Sequence, residues 1–406
     1  MAGGVSRLVQ GGVTSAQGFL ASGVYCGVKA QQKKDLAVVF SRVPAAAAGV
    51  FTTNKVKAAP VLLDMERIRS GRGQAVVLNS GNANACTGDQ GMRDAREMAL
   101  LAAQGLGIAE DLVFVCSTGV IGRVLPMDAL RRGIPEAVRL LSPEGAAAAE
   151  AIMTTDTVPK AAAVQVPIGG QVVTVGGMTK GAAMIHPQMA TTLTVLTTDA
   201  AVAPPVLQAS LRRAAEVSYN RITVDGDQST NDTILLFANG EAGAPEITEP
   251  GEAADAFEAA LVSCATDLAR MIPRDAEGGT KLIEVTVRGA QSDEDAYRAA
   301  RAIALSPLVK TAIYGRSPNW GRIFVAVGGC GAEVQPERMS VRIGPVLVAE
   351  RGGPAGEPES LDEVARYMAG DTITVVVDLG LGRAETTMWT CDLTEQYVKE
   401  NADYLT

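Results

Sequence analysis

A single histidine, His186, serves all 406 residues. That scarcity removes most of the common proton-transfer machinery. A Ser-His-Asp or Cys-His device would need this one side chain as its base. His186 stands in Met184-Ile185-His186-Pro187-Gln188, between apolar residues and a proline, the setting of an ordinary loop or core histidine. Zinc is no better served. The six cysteines (Cys26, Cys86, Cys116, Cys264, Cys330 and Cys391) contain no C-x-x-C pair. They read as reduced, mostly buried thiols, and no metal site is expected.

Other absences narrow the function further. There is no basic stripe. Lys and Arg number 36 against 45 Asp and Glu, for a net charge of −9, which disfavours nucleic acid. The basic runs, Gln31-Gln32-Lys33-Lys34 and Arg131-Arg132, read as solvated surface. No apolar run is long enough for a membrane-spanning helix, and no basic segment precedes an uninterrupted apolar one as in a secretory leader. A cytoplasmic location is expected, where the sequon Asn231-Asp232-Thr233 carries no glycan. The phosphate-loop motif G-x-x-x-x-G-K-[ST] is missing, and Gly328-Gly329-Cys330-Gly331 lacks the spacing of a dinucleotide loop. Asp225 and Asp227 lack the rest of a calcium loop and read as an Asx-stabilised turn.

What is present is globular. Apolar residues reach 47%, with few aromatics (4%) and much Ala, Val and Gly, which suits closely packed sheets. The length fits two or three domains or one large α/β unit. Buried strands are predicted at Leu36–Phe40, Ala75–Leu78, Leu112–Val115 and Val172–Val175. Asp94–Gln104 has a helical stripe with Gly105 and Gly107 as stops. Helices follow at Val206–Val217, Ala254–Met271, Asp293–Ala304 and Leu361–Met368. Strands are expected at Leu282–Val287 and Thr372–Asp378, and exposed loops at Gly240–Glu252 and Arg351–Glu359. No repeat of 20–50 residues is visible. The pattern is mixed α/β, with α+β layers as the close variant.

A nucleophile without histidine needs another base. An N-terminal Ser, Thr or Cys uses its own α-amine, which titrates at about 7.7–8.0 in short peptides. An internal threonine gains that amine only if the chain is cut before it. Composition leaves open which threonine this is.

Lys180-Gly181-Ala182-Ala183-Met184-Ile185-His186-Pro187-Gln188-Met189-Ala190-Thr191-Thr192 closely resembles the hallmark of one family. That family is the ornithine acetyltransferases, or bifunctional glutamate N-acetyltransferase/amino-acid acetyltransferases of arginine biosynthesis. Further stretches match in order: Gly11–Thr14, Gly18–Ala21, Asn79–Gly88, Cys116–Gly122, Met153–Thr157, Asn220–Thr233, Val309–Arg322 and Glu400–Thr406. Ala183 and His186 depart from the family pattern.

The resemblance implies a self-processing threonine-nucleophile fold, with sheets flanked by helices. It implies cleavage between Ala190 and Thr191, giving an α subunit (1–190) and a β subunit (191–406) in an α2β2 heterotetramer. Thr191 is the implied nucleophile. Thr118 and Gly119 are the implied oxyanion stabilisers, through a hydroxyl and a backbone N–H. Thr154, Lys180, Thr191, Glu277, Asn401 and Thr406 are the implied substrate contacts, with Thr155 an alternative to Thr154. The reaction would be ping-pong, with acetyl passing from N2-acetylornithine to Thr191 and then to glutamate. No bound cofactor is implied, and acetyl-CoA remains open as a second donor. Without the resemblance, Thr191–Thr197 is a β-branched strand, Ser117-Thr118-Gly119 a turn, Lys180 and Glu277 surface charges, and the C-terminus frayed. Two rivals stand beside it. One is a self-processing amidase or aminopeptidase with a threonine nucleophile. The other is a metabolite-binding protein that stays as one chain.

Overall fold

A computed structural model describes residues 4–186, 192–355 and 359–403, in two units. The first comprises Met1–Asn220 and Asp227–Ile272, the second Arg221–Gly226 and Pro273–Tyr404. Among the described residues no helix is long and apolar enough to cross a membrane.

In the first unit the small and β-branched runs become strands: β1 (Ser6–Arg7), β2 (Phe19–Val24), β3 (Leu36–Phe51), β4 (Arg72–Asn82), β5 (Val113–Val120), β6 (Lys160–Ile168), β7 (Gln171–Lys180), β8 (Leu193–Thr198) and β9 (Thr233–Ala238). Its helices are α1 (Ala59–Arg67), α2 (Gly88–Leu106), α3 (Met127–Arg139), α4 (Ala146–Ala151), α5 (Pro204–Val217) and α6 (Glu252–Arg274). The strand order is β1-β6-β7-β8-β9-β3-β4-β5, with β2 also paired to β3.

The long strand β3 shapes this sheet. Leu36–Phe40 pairs with β2 and β4, whereas Ala46–Phe51 pairs with β9, and the β4 register shifts between Phe40 and Ala45. Such an irregularity bends a strand and raises its twist. The two halves of the sheet consequently share one core. Val39, Leu78 and Phe114 from one half meet Met178, Val195 and Phe237 from the other. The Phe114 and Phe237 rings touch edge to face at 5.7 Å. On the opposite face Val38, Val77 and Val115 pack against Met98 of α2 and Ile134 of α3. Val76 and Leu78 thus face one core and Val77 the other, as the two-residue strand period requires. The predicted helix at Asp94 starts earlier, at Gly88. Gly105 lies inside it, and Gly107 (φ +68°) ends it.

The second unit contains β10 (Leu282–Ala290), α7 (Asp293–Leu305), α8 (Pro307–Tyr314), α9 (Gly321–Gly328), β11 (Ser340–Ile343), β12 (Val346–Glu350), β13 (Gly353–Pro354), α10 (Glu359–Tyr367), β14 (Thr372–Asp378), β15 (Ala384–Cys391) and α11 (Glu395–Asp403). Its sheet order is β13-β12-β11-β14-β10-β15. Ile283, Val285 and Val287 of β10 bury against Ala296, Ala300 and Ile303 of α7, since alternating branched residues meet a helix face of small ones. The mixed α/β class and the expected elements hold.

Two expectations need correction. The loop expected at Arg351–Glu359 contains β13, which pairs with Ala349–Glu350; proline is tolerated in such edge pairing, so composition missed it. Of the six free cysteines only Cys116, Cys264 and Cys391 are buried. Cys86 is exposed and has a left-handed backbone, φ +56°.

Candidate functional site

The ends of β4 and β5 form the floor of the site. These strands are parallel, with Ser80 level with Thr118 and Gly81 with Gly119. Gly119 has φ +131°, and a Cβ there would lie 2.3 Å from the Gly81 carbonyl carbon. No other residue fits so close a backbone approach. Polar side chains lock the floor. Ser117 Oγ donates to Asn79 Oδ1 (2.6 Å), and Asn79 Nδ2 to the Asn82 carbonyl (2.9 Å). Asn231 Nδ2 reaches the carbonyls of Ala83 (2.6 Å) and Ser117 (2.8 Å).

Lys180, the last residue of β7, comes to this floor. Its Nζ donates to Thr118 Oγ1 at 3.4 Å, and Lys180 is only 4% exposed. It is no surface charge, because a cation this deep needs nearby anions. Asp156 supplies one. Its Oδ1 accepts from Lys160 Nζ (2.7 Å) and the Gly181 N–H (2.7 Å), and its Oδ2 from the Thr154 N–H (2.9 Å). Burial would raise the Asp156 pKa, but Lys180 and Lys160 outweigh it and hold the group at about 2. Asp156 therefore ties the half-buried Thr154 to the Lys180–Gly181 corner.

Strand β8 begins beside the same corner. Thr192 donates its N–H to Asp232 Oδ1 (3.0 Å) and its Oγ1 to the Lys180 carbonyl (2.9 Å). The hydroxyls of Thr179, Thr192 and Thr194 form a buried cluster with separations of 2.6–3.0 Å. Burial holds the Asp232 carboxyl well above its usual range, against the Thr192 N–H, the Lys180 charge and the Thr52 hydroxyl. Lys29 approaches from another loop. Asp35 accepts the N–H groups of Cys26, Gly27, Val28 and Lys29, and the Lys29 Nζ then bonds the carbonyls of Met153 (2.7 Å) and Lys34 (2.9 Å). Burial first, with Lys180 and Lys33 adding to it, lowers the Lys29 pKa to about 8.

Of the expected residues, the first unit brings Thr118, Gly119, Lys180 and Thr154 together. Ala190, Thr191 and Thr406 lie outside the described residues, while Thr192, next to Thr191, is fixed as above. In the second unit Asn401 Nδ2 donates to Glu277 Oε2 at 3.0 Å. Asn401 sits in α11 and also bonds the Tyr397 carbonyl, so this part of the C-terminus is ordered rather than frayed. Sequence reasoning assigned no role to Asp156, Lys160, Asp232, Asp35 or Lys29. The Asp156-to-Lys160 spacing was the one available signal, and it is common on any surface. His186 is a half-buried loop residue. Among the described residues no group of three or more His, Cys, Asp or Glu side chains is placed to hold a metal ion.

Residues 20–406 match the ArgJ family. The chain is 53% identical over 401 residues to the arginine biosynthesis bifunctional protein ArgJ of Symbiobacterium thermophilum, covering 98% of this chain and 99% of that one. It is 51% identical to the protein of the same name from Geobacter sulfurreducens, over 97% of this chain and all of the relative. The crystal structure of the ArgJ bifunctional protein from Bacillus halodurans aligns with a TM-score of 0.50 at 42% identity, over 52% of this chain and 98% of that one. With a family match over nearly its whole length and relatives above half identity, the chain belongs to the ArgJ family.

Proposed function

We propose that the chain cuts itself between Ala190 and Thr191 and then carries acetyl from N2-acetylornithine to glutamate on the Thr191 hydroxyl. The observation that carries this reading is the buried Lys180–Thr118 contact, set beside the strand that begins two residues after Thr191. The relatives' names add a bifunctional role in arginine biosynthesis. The Bacillus halodurans chain overlaps almost wholly with 52% of this one, close to the share of a fragment that starts at Thr191.

In the precursor the Thr191 hydroxyl attacks the Ala190 carbonyl. The peptide bond breaks, an ester forms, and water opens it. The fragments are residues 1–190 and 191–406, and the new α-amine serves as the base. In turnover the hydroxyl attacks the acetyl carbonyl of the donor and gives its proton to that amine. The oxyanion rests on the Thr118 hydroxyl and the Gly119 N–H, each donor contributing about 3 kcal/mol. Collapse expels ornithine, which takes the proton, and leaves an acetyl ester on Thr191. The glutamate amine then attacks that ester and leaves as N-acetylglutamate. Thr154, Lys180, Glu277, Asn401 and Thr406 are the substrate-contact residues of this reading, acetyl-CoA stays open as a second donor, and the cytoplasmic assembly is α2β2. No bound cofactor enters these steps. Intact mass under denaturing conditions, with an assay of acetyl transfer to glutamate, tests this reading. A fully active unbroken chain overturns it, and release of free acetate without transfer favours an amidase.

A further inference from the structure

Three consecutive residues, Asn231, Asp232 and Thr233, touch both the segment that leads into Thr118 and the backbone of Thr192. Asn231 uses both N–H bonds of its amide on the carbonyls of Ala83 and Ser117, the latter belonging to the peptide that leads into Thr118. Asp232 accepts the N–H of Thr192, and the Thr233 N–H donates to the Thr192 carbonyl at 3.0 Å. Both carbonyls and the Thr192 N–H are backbone groups, so these bonds fix main-chain position. The Asp232 backbone is itself held, since its carbonyl accepts from the Thr52 N–H at 3.0 Å. Asn231 and Asp232 are 5% and 0% exposed. Burying two polar side chains at one strand end costs free energy that their hydrogen bonds must offset.

We infer that Asn231 and Asp232 are positioning residues that set Thr192, the residue after the proposed nucleophile, in register with the oxyanion segment at Thr118 and Gly119. The inference rests on the reading of Thr191 as nucleophile. Neither side chain donates or takes a proton in it. Their task is distance and angle, in self-cleavage and in acetyl transfer alike. A misplacement of about 1 Å in such a constellation costs on the order of 10²-fold in rate. Asp232 acts through an oxygen acceptor that an amide also offers, so its charge is dispensable. Asn231 acts through donors that a carboxylate lacks.

The variants Asp232→Ala, Asp232→Asn, Asn231→Ala and Asn231→Asp are made in the full chain. Three readouts are taken: the fraction cleaved with time, the acetyl-enzyme burst that counts active sites, and kcat and KM per counted site. Asp232→Ala, Asn231→Ala and Asn231→Asp are expected to slow cleavage and to lower kcat about 10²-fold per site, with KM within about threefold. Asp232→Asn is expected to cleave and to keep kcat within about tenfold, a rescue that a need for the charge would not allow. A residue needed only for folding would reduce the number of sites and leave kcat per site unchanged, and that result overturns the inference. So does a loss confined to KM. If the alanine variants do not fold, the decision passes to Asp232→Asn and Asn231→Asp. Folded but uncleaved Asp232→Asn, or Asn231→Asp with wild-type kcat, overturns the inference. Failure of the wild-type chain to cleave or to form an acetyl-enzyme defeats the Thr191 reading itself, and so is distinguishable.

Discussion

Lys180 donates to Thr118 across 3.4 Å, although four strands, β8, β9, β3 and β4, separate β7 from β5 in the sheet order. The contact exists because β3 bends and the two halves of the sheet close on one core. The hydroxyl assigned to the oxyanion is thereby held beside a buried cation. Replacing Thr118 by Ala should lower kcat by roughly 10²–10³, the usual loss for one oxyanion donor, with a smaller change in KM. Steady-state kinetics on cleaved protein checks this. A rise in KM alone would make Thr118 a binding residue instead.

Self-cleavage gives the most direct prediction. Wild-type protein under denaturing conditions should separate into two fragments, the second beginning at Thr191. Thr191→Ala should remain one chain and be inactive. Thr191→Ser keeps a hydroxyl and should retain part of the processing. N-terminal sequencing and intact mass read all three outcomes.

Asp156 is the centre of the charge balance, and its removal should show in stability before activity. Asp156→Asn leaves Lys160 buried without its anion. Breaking such a pair costs about 3–5 kcal/mol, so Tm at neutral pH should fall well below wild type. The pH dependence has a definite sign. The folded pKa is depressed from 3.8 to about 2, so the carboxylate's contribution is fully present above 3.8 and disappears as pH falls through about 2. The gap between variant and wild type should therefore narrow only in that acidic window. A constant gap down to the acid transition would assign the loss to packing.

Much of the fold was visible in the sequence, because the strands at Leu36, Ala75, Leu282 and Thr372 carry their burial in local period and composition. The site was visible only through its resemblance to a family. Lys180 and Glu277 look like any surface charges until the chain is folded. Asp156 gained the Gly181 N–H from 25 residues away and Asp232 the Thr192 N–H from 40, separations that no local pattern encodes. The register shift in β3 was equally hidden, since the strand expected at Leu36–Phe40 gave no sign of continuing to Phe51. Function here depends on which distant strand ends meet, and that is a property of topology.

The base is the remaining element, and it yields the fullest test. With His186 in a loop and without an assigned role, the proposed mechanism depends on the α-amine of Thr191. Activity should rise with pH as that amine loses its proton, with an apparent pKa of about 7–8 if it behaves as in short peptides. Lys29 titrates in the same window, at about 8, so the limb alone does not identify the base. Lys29→Met should leave the limb where it is, because its amine is occupied by the carbonyls of Met153 and Lys34. If the limb disappears with Lys29, the assignment of the base moves to that lysine. The covalent step closes the argument. Mature enzyme mixed with N2-acetylornithine, without glutamate, should gain one acetyl group on the 191–406 fragment and release ornithine. Added glutamate should remove the acetyl as N-acetylglutamate. His186→Ala should leave this exchange largely intact in cleaved protein. Loss of turnover in that variant, or acetyl found on a residue other than Thr191, would end the N-terminal threonine mechanism for this chain, because the tetrahedral intermediate would then form away from Thr118 and Gly119.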